Sequence, residues 1–124
     1  MSTFFLGQKA LRVETKKALY SEIAGATTVA PKHLYTLQRS ARIFQFKNTT
    51  DVILRIYVSN PEDESNTFIE FVEIDPGETM GADTFNSAQQ FEMPAQTRIY
   101  VTGVTLAGVS ANPTAGRLRF FSWG

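Results

Sequence analysis

The residue types that most often carry catalysis are sparse in this 124-residue chain. His33 is the single histidine and cysteine is absent, which excludes thiol catalysis and thiolate metal sites. No G-x-S-x-G or H-E-x-x-H motif accompanies the histidine, so we interpret His33 as an ordinary strand residue. The sequence therefore predicts a protein that is not an enzyme and has no catalytic residue.

Two groups of acidic residues have the oxygen chemistry that a cation or an acid–base pair needs. Glu70 and Glu73 face opposite ways on a regular strand, so they form paired carboxylates only if a bulge intervenes. The loop 60–66, NPEDESN, lacks the alternating Asp/Asn spacing and the glycine of an EF-hand loop. We interpret it as a solvated hairpin tip. No metal site is predicted, and because the glycines form no phosphate-binding pattern, no cofactor is predicted either.

Charge is distributed unevenly, although the formal net charge is zero. Residues 1–50 carry eight basic and two acidic residues, for a net charge of +6. Residues 51–97 carry one arginine and ten acidic residues, for −9, and residues 98–124 return +3 from three arginines. Such a chain either decorates solvated faces with both signs or presents complementary surfaces to a neighbour. The basic clusters are too modest to predict nucleic-acid binding.

Alternating apolar residues predict strands along most of the chain. The densest apolar segment, 41–74, predicts three strands separated by breaks at 48–51 and 60–66. Both breaks are too short for a helical crossover, so we expect antiparallel hairpins there. Further strands are predicted at 32–37, 79–85, 98–104 and 117–123. The sequence Asp75-Pro76-Gly77-Glu78 predicts a turn with positive φ at the glycine.

Seven or eight short strands predict an all-β fold, an antiparallel β-sandwich that is jelly-roll-like, over residues 32–124. The pattern leaves Greek-key and jelly-roll strand orders open. Residues 1–31 predict an N-terminal extended arm with a short helix from Lys16 to Ala24, capped by Thr15 and ended by Gly25. Neither a membrane-spanning apolar run nor a secretory signal is recognisable.

Several segments between Phe44 and Trp123 resemble small β-sandwich structural proteins of tailed-bacteriophage virions. They are FKNTTD at 46–51, IDPGET at 74–79, IYV at 99–101 and GRLRF at 116–120, and together they span about two-thirds of the chain. The resemblance implies a non-enzymatic virion structural protein, most directly a capsid cement or decoration protein that braces the shell. Neck, tail and baseplate components are the alternative within the same group.

The resemblance also implies that the arm holds neighbouring subunits. The predicted partner-binding residues are apolar anchors on the arm, basic residues that steer toward acidic patches, and one C-terminal ring: Phe4, Phe5, Leu6, Leu11, Lys16, Lys17 and Trp123. The expected partners are a major capsid or other virion protein and further copies of the chain, in a virion assembled after synthesis in the host cytoplasm. Nucleic acid, membrane and small-molecule substrates are not expected.

A carbohydrate-binding module is the alternative from a different functional class. β-Sandwiches often carry sugar sites, and four aromatic side chains are candidates for stacking on sugar rings: Tyr35, Tyr57, Tyr100 and Trp123. The sequence alone does not place these rings on one surface.

Overall fold

The computed structural model of the chain describes residues 13–41, 43–59, 68–80 and 93–123. These residues form two four-stranded antiparallel sheets packed face to face, so the predicted all-β sandwich is confirmed. The elements in chain order are β1 (Val13–Leu19), α1 (Tyr20–Ile23), β2 (Lys32–Thr36), β3 (Ile43–Asn48), β4 (Ile53–Ser59), β5 (Ile69–Ile74), β6 (Thr79–Met80), β7 (Arg98–Val104) and β8 (Arg117–Trp123). No helix in these ranges is long and apolar enough to cross a membrane.

The strand order is that of a jelly roll. The first sheet has the order β1-β8-β3-β6 and the second has the order β2-β7-β4-β5. The pairs β1 with β8, β2 with β7, β3 with β6 and β4 with β5 arise when one long hairpin, with β4 and β5 at its tip, rolls into two layers. The pairs β8 with β3 and β7 with β4 close the roll. The topology thus decides between the two orders that the sequence left open.

The connection from β3 to β4 is not the hairpin that the sequence predicts. β3 lies in the first sheet and β4 in the second, and the chain crosses between the layers at residues 49–52. A break of a few residues serves a hairpin and a layer crossing equally well, so its length does not distinguish them. The hairpin predicted between β4 and β5 is confirmed.

A buried amide fixes the crossing from β3 to β4. The Asn48 side chain donates to the carbonyl oxygens of Val52 at 2.9 Å and Ile74 at 2.8 Å. Its Oδ1 accepts from the backbone nitrogen and the hydroxyl of Thr50, at 2.8 Å and 2.6 Å. Asn48 is fully buried, and these bonds satisfy both its donors and its acceptor. The amide therefore joins the end of β3 to β4 and to β5.

Residues 13–24 belong to the sandwich, and the boundary of the predicted arm at residue 31 is wrong for them. All seven residues of β1 pair antiparallel with β8, at the edge of the first sheet. The predicted helix from Lys16 is also wrong, because α1 covers only Tyr20–Ile23 and has Leu19 at its N-cap. Inward and outward side chains continue to alternate along β1 through buried Ala18. The segment therefore follows the two-residue period of a strand and not the 3.6-residue period of a helix. Residues 1–12 lie outside the described residues.

The hydrophobic core fills the space between the sheets. Its centre is the pair Phe46 and Phe120, whose ring centroids lie 4.9 Å apart. Each sheet contributes the inward residues of its strands, and the fully buried aliphatic side chains are Ile23, Leu37, Leu54, Ile56, Ile74, Ile99, Leu118, Val101 and Val104. Full burial of each such side chain contributes about 1.5–3 kcal/mol. The core therefore fixes which side of every strand faces outward.

The connections between strands gather at two ends of the sandwich. Residues 24–31, 49–52, 75–78 and 105–116 form one end, which we call the loop end. Hydrogen bonds tie its segments together, from the Gly25 nitrogen to Asn112 at 2.9 Å and from the Thr28 nitrogen to Ser110 at 3.2 Å. The turn at 75–78 forms as predicted, with Gly77 at φ +83°.

Candidate functional site

Large apolar side chains project from the loop end. Leu106 is 95% exposed, Val29 is 86% exposed and Val109 is 62% exposed. Single exposed apolar residues are common on protein surfaces and need no explanation. These three differ, because the hydrogen bond between Thr28 and Ser110 holds the segments that carry them side by side. We therefore group the three as the apolar patch of the loop end, because apolar side chains exposed from neighbouring segments are typical of interaction sites.

The segments that carry this patch are braced by their own hydrogen bonds. The turn at 105–109 is closed by bonds from the Thr105 nitrogen to the Val109 oxygen at 2.8 Å and from the Gly108 nitrogen to the Thr105 oxygen at 2.9 Å. Asp51 accepts bonds from the Thr114 backbone and hydroxyl, which hold the pKa of Asp51 below its usual value. The apolar side chains are thus presented by preformed loops, which lowers the entropy cost of binding.

The outer face of the first sheet carries a cluster of cations, which we call the basic face: Lys17, Lys47, Arg117 and Arg119. Lys17 and Lys47 lie opposite Arg119 on its two sides, so three of them form a row across β1, β8 and β3. The Arg119 guanidinium lies over the Phe121 ring, 5.0 Å from its centroid. Among the described residues, no ion pair involves any of the four. The basic face is therefore available to an anionic partner.

Aromatic side chains form a row on the outer face of the second sheet. His33 on β2, Tyr100 on β7 and Tyr57 on β4 lie opposite one another in the strand register. The His33 and Tyr100 rings meet edge to face, with 5.4 Å between their centroids. The Phe68 ring also meets the Tyr100 ring edge to face, with 4.6 Å between centroids. Burial and the positive charge of Arg98 lower the pKa of His33, which favours the neutral imidazole.

A bulge brings two carboxylates onto one arginine beside this row. Between Ile56 and Tyr57 the pairing of β4 with β5 shifts register, so Glu70 and Glu73 both face Arg55. Arg55 bonds Glu73 at 2.7 Å and approaches Glu70 at 3.6 Å. The expectation that the two glutamates face opposite ways is therefore wrong, for the reason that the sequence cannot show a bulge. Arg55 offsets one of their two negative charges, so this ion-paired cluster keeps a net charge of −1.

Tyr57 stands out in the row because its hydroxyl is buried. Only 5% of the residue is exposed, and its oxygen has no hydrogen-bond partner of good geometry among the described residues. The hydroxyl still lies near enough to Arg55 to raise the pKa of that guanidinium, with Glu73 as the second cause.

The structure places some of the predicted partner-binding residues and not others. Lys17 lies on the outward side of β1, whereas Lys16 lies on the other side of the strand and its ammonium pairs with Glu22 at 3.7 Å. Trp123 is the last residue of β8, between Val13 and Ile43 in the register. Four predicted anchors lie outside the described residues: Phe4, Phe5, Leu6 and Leu11. The acidic loop 60–66 also lies outside them. In the described ranges, no group of three or more His, Asp or Glu could hold a metal ion.

Of the four candidate sugar-stacking rings, two come together. Tyr57 and Tyr100 are cross-strand neighbours on the second sheet. Tyr35 serves the fold instead, because its ring packs near Phe120 and its hydroxyl donates to Glu14 at 2.7 Å. The same carboxylate accepts from the backbone nitrogens of residues 38 and 39, both at 3.0 Å. Glu14 therefore ties β1 to the turn after β2.

Replacing Tyr35 with phenylalanine should remove part of the alkaline pH dependence of stability. Burial and the hydrogen bond to Glu14 raise the pKa of Tyr35 to about 12. The folded state thus holds the phenolic proton more tightly than the unfolded state, whose pKa is about 10. The resulting stabilisation is complete below pH 10 and is lost as the pH rises through 12.

Urea unfolding of the wild type and of Tyr35→Phe at about pH 8 and about pH 11.5 measures this contribution. The difference in unfolding free energy between the two proteins should shrink at the higher pH. An unchanged difference would show that the phenolic proton is not coupled to folding.

Neither the apolar patch nor the basic face was predictable as a surface from the sequence. Leu106 and Val109 lie in a loop rich in Gly, Ala and Ser. Two large apolar residues in such a loop, outside any strand pattern, were the one sequence feature that could have indicated the patch. The basic face joins residues distant in sequence, and only the register of β1, β8 and β3 brings Lys17, Lys47 and Arg119 together. No family model, curated protein or solved structure matches the chain.

Proposed function

We propose that this chain is a non-enzymatic structural protein of a virion that acts by binding other proteins, most directly as a capsid cement or decoration protein. The observation that carries the proposal is the apolar patch at the loop end. Leu106, Val109 and Val29 are exposed on hydrogen-bonded loops, and burying them against a shell subunit would contribute about 25 cal/mol for each Å² removed from water.

The jelly-roll topology supports the same reading by analogy. Viral capsid domains and lectin domains share this strand order, and so do enzymes of the cupin type. Because one fold hosts many functions, the analogy alone does not choose among them. The preformed apolar patch and the unpaired cations of the basic face are features of this chain, and both are suited to protein contacts.

A test is to measure how purified protein binds to virus particles that lack it. The variant Leu106→Asp/Val109→Asp should weaken binding at least about tenfold, which corresponds to 1.4 kcal/mol. Both residues are exposed, so the fold should lose less than about 0.5 kcal/mol. The matched control is Ile69→Asp, which makes a similar apolar-to-acidic change at an exposed residue at the opposite end of the sandwich. Equal binding by the double variant and the wild type would overturn the role of the loop end.

The alternative location in a virion is a neck, tail or baseplate ring. A cement protein is present in a number of copies proportional to that of the major shell subunit. A ring component is present only in the few copies that make up one ring. Counting copies in each particle therefore separates the two locations.

Carbohydrate binding is the second candidate, favoured by the aromatic row on the second sheet. Tyr100 is half-buried beside His33 and Phe68, and Arg55, Glu70 and Glu73 supply polar groups next to it. A glycan array with the wild type and Tyr100→Ala tests this candidate. Binding that the substitution abolishes would support a sugar site, and an array without signal would remove the candidate.

A further inference from the structure

The basic face holds three like charges in a row that nothing in the described fold neutralises. Lys17, Arg119 and Lys47 occupy directly opposed positions on neighbouring strands. Adjacent strands lie about 4.8 Å apart, so the row spans about 10 Å. Like charges placed directly opposite one another destabilise a sheet. The isolated subunit thus bears an electrostatic cost that an anionic partner would relieve.

The other outward positions of the first sheet add no negative charge. The described outward side chains besides the cations are neutral: Thr15, Leu19, Gln45, Thr79 and Phe121. On the second sheet the arrangement is different, because Arg55 is flanked by Glu70 and Glu73 and is neutralised within the chain. The basic face thus differs from the Arg55 cluster, because its cations lie beside one another with no described carboxylate paired to them.

The chain also carries the complementary surface. The edge strand β5 and the turn after it hold four carboxylates, which we call the acidic edge: Glu70, Glu73, Asp75 and Glu78. Arg55 is the one cation paired to them in the described structure, so four negative charges and one positive charge leave −3. The side chains of Glu70 and Glu73 are 57% and 41% exposed. β5 is the outermost strand of the second sheet, and none of the other described strands pairs with its free edge.

We infer that the basic face binds the acidic edge of a second copy of this chain. Zero net charge lets two copies approach without overall repulsion, while the opposed patches orient them. The two surfaces are different, so a head-to-tail contact repeats along a series of copies and gives a closed ring or an open filament. This inference rests on the proposed function, because it names a partner for the assembly protein.

Light scattering during size-exclusion chromatography measures this association in the purified chain. At about 0.01 M salt, where the Debye length is about 30 Å, the mass should rise with protein concentration. At about 1 M salt, where the Debye length is about 3 Å, the mass should return to that of the monomer. A wild-type monomer under both conditions would overturn the inference.

A charge swap tests the two surfaces together. Lys17→Glu/Lys47→Glu and Glu70→Lys/Asp75→Lys should each remain monomeric alone. The first leaves the basic face with two arginines and two introduced carboxylates, a net charge of zero, and the second turns the acidic edge from −3 to +1, the same sign as the basic face. Mixing the two variants should restore a complex, since the unchanged acidic edge of the first variant can meet the unchanged basic face of the second. Circular dichroism and thermal unfolding check that both are folded. Lys32→Glu makes the same charge change as Lys17→Glu, but on exposed β2 of the second sheet, and should associate like the wild type.

The remaining outcomes separate this inference from the proposed function. If the double lysine variant associates like the wild type, or if the mixture stays monomeric, the inference is wrong. If the wild type stays monomeric but binds heparin or single-stranded DNA through Lys17 and Lys47, the occupant is a polyanion and not a second copy. A chain that stays monomeric yet binds particles leaves the proposed function standing and overturns this inference alone.

Discussion

Replacing Asn48 with alanine should lower the unfolding free energy by about 3 kcal/mol or more. The substitution removes the side-chain partner of the Ile74 carbonyl oxygen and of the Thr50 nitrogen, and one of the two side-chain donors to the Val52 carbonyl oxygen. Each buried group that loses its hydrogen bond costs about 1–3 kcal/mol. These hydrogen bonds lie where the chain crosses between the two sheets. Their loss should therefore change the geometry of the loop end as well as the stability.

Urea unfolding measured by circular dichroism gives the effect, with Gln45→Ala as the matched control. Gln45 lies on the same strand and faces outward, so its loss should change stability by less than about 0.5 kcal/mol. If the two variants unfold at the same urea concentration, the Asn48 bonds do not hold the crossing.

Replacing Gly116 with alanine should also destabilise the fold strongly, by about 2–5 kcal/mol from two causes. Gly116 has φ +87°, and the left-handed region costs other residues about 1–2 kcal/mol. A Cβ atom there would also collide with the carbonyl group of Thr49. Overpacking of this kind costs about 1–3 kcal/mol, and here the obstacle is backbone that cannot rotate away.

The variant Gly77→Ala separates the two causes. Gly77 has φ +83°, but a Cβ atom at that position would meet nothing within 4 Å. It should therefore carry the cost of the backbone conformation without the collision. Thermal unfolding of both variants should show the larger loss for Gly116→Ala. Equal losses would mean that the contact with Thr49 relaxes without cost.

The sequence predicted most of the strands, because a period of two is a local property. Arg98 to Val104 and Arg117 to Trp123 have the predicted bounds, and the turn at Gly77 forms as expected. The predictions that were wrong concern segments whose conformation depends on residues distant in the sequence. The pairing of β1 with β8 keeps Lys16 to Leu19 extended rather than helical. Likewise, the chain changes layer after Asn48, whose side chain bonds to Ile74, 26 positions further along the chain.

The candidate surfaces were less predictable than the fold. The sequence shows that charge is distributed unevenly along the chain. This pattern was consistent with solvated faces that carry both signs and with complementary surfaces for a neighbour. Strand register then decided which cations meet, since Lys47 and Arg119 are 72 positions apart in the sequence but opposite in the sheet. The bulge before Tyr57 placed Glu70 and Glu73 on Arg55, an arrangement that alternation alone argued against.

The measurement that tests the virion role most directly is the copy number of this chain in purified virus particles. Particles from lysed cells that make the protein would be banded on a density gradient and quantified by mass spectrometry against the major shell subunit. We expect the chain to band with the particles at a fixed ratio to that subunit or to one ring. A chain that stays at the top of the gradient, apart from the particles, would contradict it.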